Sequence, residues 1–182
     1  MTIPPNEATT LLALARQSIG DALEGREVTR YESPSGIMSE KRGAFVTLNR
    51  DGRLRGCIGL IETDQPLCDT VARMARAAAF KDPRFPPLEK DELPLVVIEI
   101  SVLTVPILVD DTDDIEVGRD GLIVERGPAR GLLLPQVPGE WGWDRDEFLD
   151  QTCAKAGLEP SAWREPDTRV LRFSADVVRE AV

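Results

Sequence analysis

Ala44-Phe45-Val46-Thr47-Leu48-Asn49-Arg50-Asp51-Gly52-Arg53-Leu54-Arg55-Gly56-Cys57-Ile58-Gly59-Leu60-Ile61 reads as two strands joined at Asp51-Gly52. Two loops connect them, and the choice sets the direction of every side chain. A two-residue loop at Asp51-Gly52 pairs Leu48 with Arg55 and Val46 with Cys57, mixing apolar and charged groups on one face. A three-residue loop, Arg50-Asp51-Gly52 with Gly52 left-handed as a bulge, pairs Leu48 with Leu54 and Thr47 with Arg55. The second sorts cleanly. Ala44, Val46, Leu48, Leu54 and Ile58 then share the core face, while Thr47, Asn49, Arg53, Arg55 and Cys57 share the other with Phe45. The expectation is therefore a bulged hairpin from which a thiol and a guanidinium, two residues apart, look outward together. Gly56 and Gly59 leave the strand surface around the thiol uncrowded.

Upstream, Pro4-Pro5 precede a helix over 6–24, with Asn6 as cap, Leu11, Leu12, Ala15 and Ile19 at helical spacing, and Gly25 as stop. Downstream, Leu67, Val71, Met74, Ala75 and Ala78 mark a helix over 66–80. Pro83, Pro86 and Pro87 then forbid its continuation and make Asp82 to Leu88 a stiff platform for Asp82 and Arg84. Leu95 to Val105 is apolar on both faces, which predicts a strand central in its sheet. Glu99 projects from that strand, and a carboxylate there needs a partner; Arg55 and Arg84 are the preferred candidates.

The acidic run Asp110 to Asp114 lacks calcium-loop spacing and reads as a solvated connection. Strands are expected over 121–125 and 132–137, joined by Gly127 to Gly131, followed by a helix capped by Asp144 and Glu147 that ends at Gly157, and by a last strand over 168–178. Cys68 and Cys153 fall on helix patterns and read as structural, whereas Trp141, Trp143 and Trp163 are expected to pack a lobe junction.

The 182 residues carry a formal net charge of -10, so the overall field repels nucleic acid and anionic membrane surfaces. No histidine is present, which excludes Ser-His-Asp and Cys-His catalysis and histidine-based zinc sites. A thiol here has to be activated by positive charge or by a carboxylate acting through water. Three cysteines without a C-x-x-C pair suggest neither a zinc ribbon nor a disulfide framework, and fit a reducing cytoplasm. The N-terminal run Met1 to Glu7 has no signal-peptide pattern, and no window approaches the ~20 apolar residues of a membrane span.

Four motifs occur in order: Leu54 to Gly59; Ala79-Phe80-Lys81-Asp82-Pro83-Arg84-Phe85-Pro86-Pro87-Leu88; Glu99-Ile100-Ser101-Val102-Leu103-Thr104; and Gly131-Leu132-Leu133-Leu134-Pro135-Gln136-Val137. Together they resemble an AMMECR domain, the family called in prokaryotes AmmeMemoRadiSam system protein A, over about residues 11–178. The resemblance implies a mixed α+β domain with a larger and a smaller lobe flanking a cleft, the hexapeptide lying near that cleft. On this chain the lobes are expected at about 1–118 with 159–182, and at about 119–158, with a mostly antiparallel sheet and flanking helices. The family name associates the chain with a Memo-like protein and a radical-SAM protein, and names no cofactor. Two functions follow as expectations. One is an enzyme or enzyme component that uses Cys57 as nucleophile or redox thiol and holds a small polar or anionic ligand through Arg55, Arg84, Asp82, Glu99 and Gln136, with no metal. The other is a non-catalytic adaptor that presents the Asp82 to Leu88 loop to such partners.

Overall fold

The computed structural model describes residues 3–27, 31 and 34–181; Met1 and Thr2, the start of the run read as leaderless, lie outside them. It is an α+β fold that divides into two compact units, 1–103 with 176–182, and 104–175. Among the described residues no helix is long and apolar enough to cross a membrane.

In the first unit, helix α1 (Pro5–Leu23) starts at a proline pair and stops at Gly25, whose φ of 70° is the left-handed geometry that glycine tolerates. Asn6 is not its cap: Pro4 occupies that position and makes no side-chain cap bond. The sheet runs β2-β1-β3-β8, with β1 Ala44–Arg50, β2 Arg53–Leu60, β3 Val96–Leu103 and β8 Ala175–Arg179. Helices α1 and α2 (Leu67–Phe80) bury Leu11, Ile19, Leu67 and Val71 with Val46, Leu48, Ile98 and Ile100 in one core. The central position of β3 follows from its near-continuous apolar run.

The β1–β2 hairpin corrects the loop expected from sequence. Its loop has two residues, with φ of 51° at Asp51 and 73° at Gly52, the paired positive values that suit the twist of a tight hairpin. The extra residue sits inside β2: Asn49 faces Leu54 and Leu48 faces Gly56, so Arg55 is the bulge and Leu54 leaves the core face. Beyond the bulge Val46 faces Ile58 and Thr47 faces Cys57. The apolar sorting that argued for a longer loop is thus achieved by displacing one residue along the strand.

The second unit has the order β4-β7-β5-β6, with β4 Ile107–Leu108, β5 Gly121–Arg126, β6 Ala129–Leu133 and β7 Arg169–Phe173. Strand β6 starts directly after Pro128, three residues before the expected 132, and the chain leaves strand geometry before Pro135. A short helix α3 (Val137–Trp141) follows and ends at Gly142, φ 69°. Helix α4 (Arg145–Lys155) carries the expected capping box, Asp144 accepting from the Glu147 N–H and Glu147 from the Asp144 N–H. Phe148, Leu149 and Cys153 pack from α4 against Leu122, Val124 and Val170. Trp143 and Trp163 pack against this core, whereas Trp141 is 70% exposed and stacks on Trp143.

The single last strand expected over 168–178 is two. Thr104 and Ser174 exchange hydrogen bonds, the Thr104 N–H donating to the Ser174 carbonyl and the Ser174 N–H to Thr104 Oγ1. β7 before this point and β8 after it therefore join different sheets. The division between units falls there and at Leu103, not at the expected 118/119 and 158/159, because β4 and β7 pair within the second sheet.

Candidate functional site

Alternation along three neighbouring strands assembles one row on the sheet face away from α1 and α2: Cys57 in β2 opposite Thr47 in β1, and Thr47 opposite Glu99 in β3. All three are half-buried. Thr47 Oγ1 donates to Cys57 Sγ at 3.2 Å. In the next row the Phe45 ring lies over Gly59, where an added Cβ would come within 2.3 Å of it. The helix-facing side of β2 is equally tight, since a Cβ on Gly56 would stand 2.2 Å from the Ala78 carbonyl oxygen of α2.

That close seating delivers the next segment of chain to Cys57. β2 is an edge strand in which every second residue turns its N–H and C=O away from β1, and Cys57 is one of these. The loop after α2 satisfies both. The Cys57 N–H donates to Asp82 Oδ2 at 2.9 Å, and Arg84 Nη2 donates to the Cys57 carbonyl at 3.4 Å. Arg84 also grips Asp82 through Nε at 2.9 Å and Nη2 at 2.7 Å, and its own N–H donates to Oδ1 at 3.1 Å. Asp82, 2% exposed at its side chain, is held well below the usual carboxylate range, chiefly by the Arg84 guanidinium. The pair thus stands in for a neighbouring strand. The turn from Asp82 to Phe85 and the Leu88 N–H bond to the Ala79 carbonyl fold the proline-rich loop back onto α2.

Arg55 takes a different partner from the one expected. Its Nε and Nη2 donate to the two oxygens of Glu92, at 3.0 and 2.9 Å, and Arg50 adds a third bond at 2.9 Å. Arg55 holds the Glu92 carboxyl at about 2. This cluster straps the 86–92 segment to the hairpin, helped by the Glu89 N–H donating to Glu92. Glu99 is therefore paired with neither Arg55 nor Arg84, because Glu92 engages the first guanidinium and Asp82 the second. Gln136 belongs to the second unit, exposed at the start of α3. Sequence reasoning missed Thr47 as the thiol's partner and Glu92 as an anchor; period-two spacing gives Thr47 the right face but does not name its neighbour.

Because the folded Asp82 and Glu92 carboxyls lie below their unfolded values of roughly 4, the stability they contribute is present above that pH and lost as pH falls, through about 2 for Glu92 and lower still for Asp82. Denaturant midpoints are expected to hold from pH 7 to about 5 and to fall below it. Glu92→Gln should flatten that fall; an unchanged acid profile in the variant would contradict the assignment.

Cys68 and Cys153 are buried, and burial pushes both thiols up. Cys57 is the half-buried one. The hexapeptide around it and the loop that clamps it lie within the part of the chain, residues 12–178, that matches the AMMECR1 family model. A protein of Methanothermobacter thermautotrophicus is 48% identical over 182 residues, covering 96% of this chain and 95% of its own. Protein MJ0810 of Methanocaldococcus jannaschii is 43% identical, with 96% and 90% covered. The crystal structure of PH0010 from Pyrococcus horikoshii superposes with a TM-score of 0.78 at 44% identity, covering 97% of this chain and 93% of that one. With sequence and fold in agreement over nearly its whole length, the chain belongs to the AMMECR1 family.

Proposed function

We propose that the chain acts as an enzyme or enzyme component whose reactive group is the Cys57 thiol, working on a small polar or anionic substrate at the face formed by Cys57, Thr47 and Glu99. The observation that carries this reading is the hydrogen bond from Thr47 to a sulfur whose own backbone is pinned on both sides by Asp82 and Arg84. The hydroxyl orients the sulfur, and a pinned backbone holds the nucleophile in one place. In the proposed step Sγ forms a bond to an electrophilic carbon as the bond to the leaving group breaks. The thiol proton passes through a water molecule to the carboxylate in the same row, Glu99, and from there to the leaving group. Arg84 Nη1, not used by Asp82 or Cys57, is left for an anionic substrate group.

Native protein treated with iodoacetamide and mapped by mass spectrometry is expected to label at Cys57 well before Cys68 and Cys153. Thr47→Val should slow that labelling severalfold, as loss of one hydrogen bond of about 1 kcal/mol does. A Cys57 that stays unlabelled until the protein unfolds would overturn the reading. The exposed Pro83, Arg84, Pro86 and Pro87 favour a second reading, an adaptor surface for Memo-like and radical-SAM partners. Under that reading Arg84→Ala breaks co-purification with those proteins while Cys57→Ser leaves it intact.

A further inference from the structure

Away from Cys57, the first unit contains a cavity of about 400 Å³ beside the C-terminal half of α2, within the roughly 300–1,000 Å³ range of small-molecule sites. Its lining is asymmetric in charge. Arg73, Arg76 and Lys81 contribute cations, Ala22, Met74, Ala77 and Phe80 contribute apolar surface, and among the described residues no carboxylate takes part. In a chain of net charge -10 this is a local reversal of sign. The three cations differ in their commitments. Arg76 is fixed by the carbonyls it donates to, those of Ser18 at 3.1 Å, Arg26 at 2.9 Å and Glu27 at 2.7 Å. Those bonds to neutral carbonyls hold the guanidinium in place without neutralising it. Arg73 and Lys81 are exposed and have no side-chain partner among the described residues. The carbonyl end of α2 carries partial negative charge, so recognition of an anion has to come from these side chains.

We propose that this cavity binds a small soluble molecule with one anionic group on an aryl or short aliphatic body. The anion lies between Arg73 and Lys81, with Arg76 as the fixed charge, and the apolar part rests on Met74, Ala77 and Phe80. The site is independent of the thiol chemistry.

The test titrates the full chain with 1-anilinonaphthalene-8-sulfonate and with its uncharged analogue, N-phenyl-1-naphthylamine. The expected result is a single sulfonate site, with the neutral analogue about tenfold weaker. A double variant, Arg73→Glu with Lys81→Glu, should weaken sulfonate binding about tenfold with unchanged melting, because both residues are exposed. Ala77→Trp should block the cavity, and Cys57→Ser should leave binding as it was. Sulfonate binding that ignores the double charge reversal, equal affinity for the neutral analogue, or dependence on Cys57 would each overturn the proposal. So would co-sedimentation with phosphatidylglycerol vesicles that the double variant loses, since that assigns the cations to a lipid surface.

Discussion

Gly56→Ala is expected to lower the stability of the first unit by about 3 kcal/mol or more, the upper end of overpacking costs. The added methyl would meet the Ala78 carbonyl oxygen at 2.2 Å, and that oxygen belongs to helix backbone that cannot swing aside. Either α2 moves off β2 or β2 buckles. In both cases the segment that follows α2 moves with it, so Asp82 leaves the Cys57 N–H and labelling of Cys57 changes together with stability. Gly20→Ala is the matched control. Gly20 lies inside α1 and its added methyl would meet only Leu93 Cδ2 at 3.7 Å, ordinary contact. That substitution should stabilise by about 0.5–1 kcal/mol through helix propensity. Chemical denaturation of the two variants gives opposite signs if the close seating of α2 on β2 is correct; a neutral Gly56→Ala would refute it.

Asp82→Ala is expected to cost about 2–4 kcal/mol, because it removes a buried carboxylate that accepts bonds from Cys57, from the Arg84 backbone and from the Arg84 guanidinium at once. Asp82→Asn keeps one acceptor oxygen and should lose about half as much. Arg84→Ala should cost only about 1 kcal/mol, since the Arg84 side chain is 55% exposed and its ion pair is screened. The checkable statement is the order of decreasing cost, Asp82→Ala, then Asp82→Asn, then Arg84→Ala, read from urea midpoints at pH 7. The same series separates anchoring from chemistry. If Asp82 acts by fixing the edge of β2, Asp82→Asn alters Cys57 labelling far less than Thr47→Val does. Equal stability for Asp82→Ala and wild type would remove the anchor.

Much of this architecture is legible in local pattern. Apolar spacing marks α1 and α2, Asp144 with Glu147 announces the start of α4, and Asp51-Gly52 marks the hairpin. The side of the sheet on which Cys57 lies is legible too, since Thr47 and Cys57 share a face opposite to Val46 and Leu48. What resisted reading was choice of partner. Glu99 looked in need of an arginine, and both candidates had nearer carboxylates in Glu92 and Asp82. The bulge at Arg55 escaped for a related reason: a strand's period constrains which residues share a face, but not where one extra residue is absorbed. The 168–178 run kept strand propensity throughout, and its break at Ser174 depends on hydrogen bonds to Thr104, seventy residues earlier.

The amino-acid order by itself determined the long helices, the hairpin strands and β3, the family and the side of the sheet that carries the thiol, because periodicity, capping and turn chemistry act over a few neighbouring residues. Only the tertiary structure decided what surrounds that thiol. Asp82 reaches the Cys57 N–H because a glycine lets α2 sit against β2, and a contact between segments 25 residues apart depends on packing that no local pattern encodes.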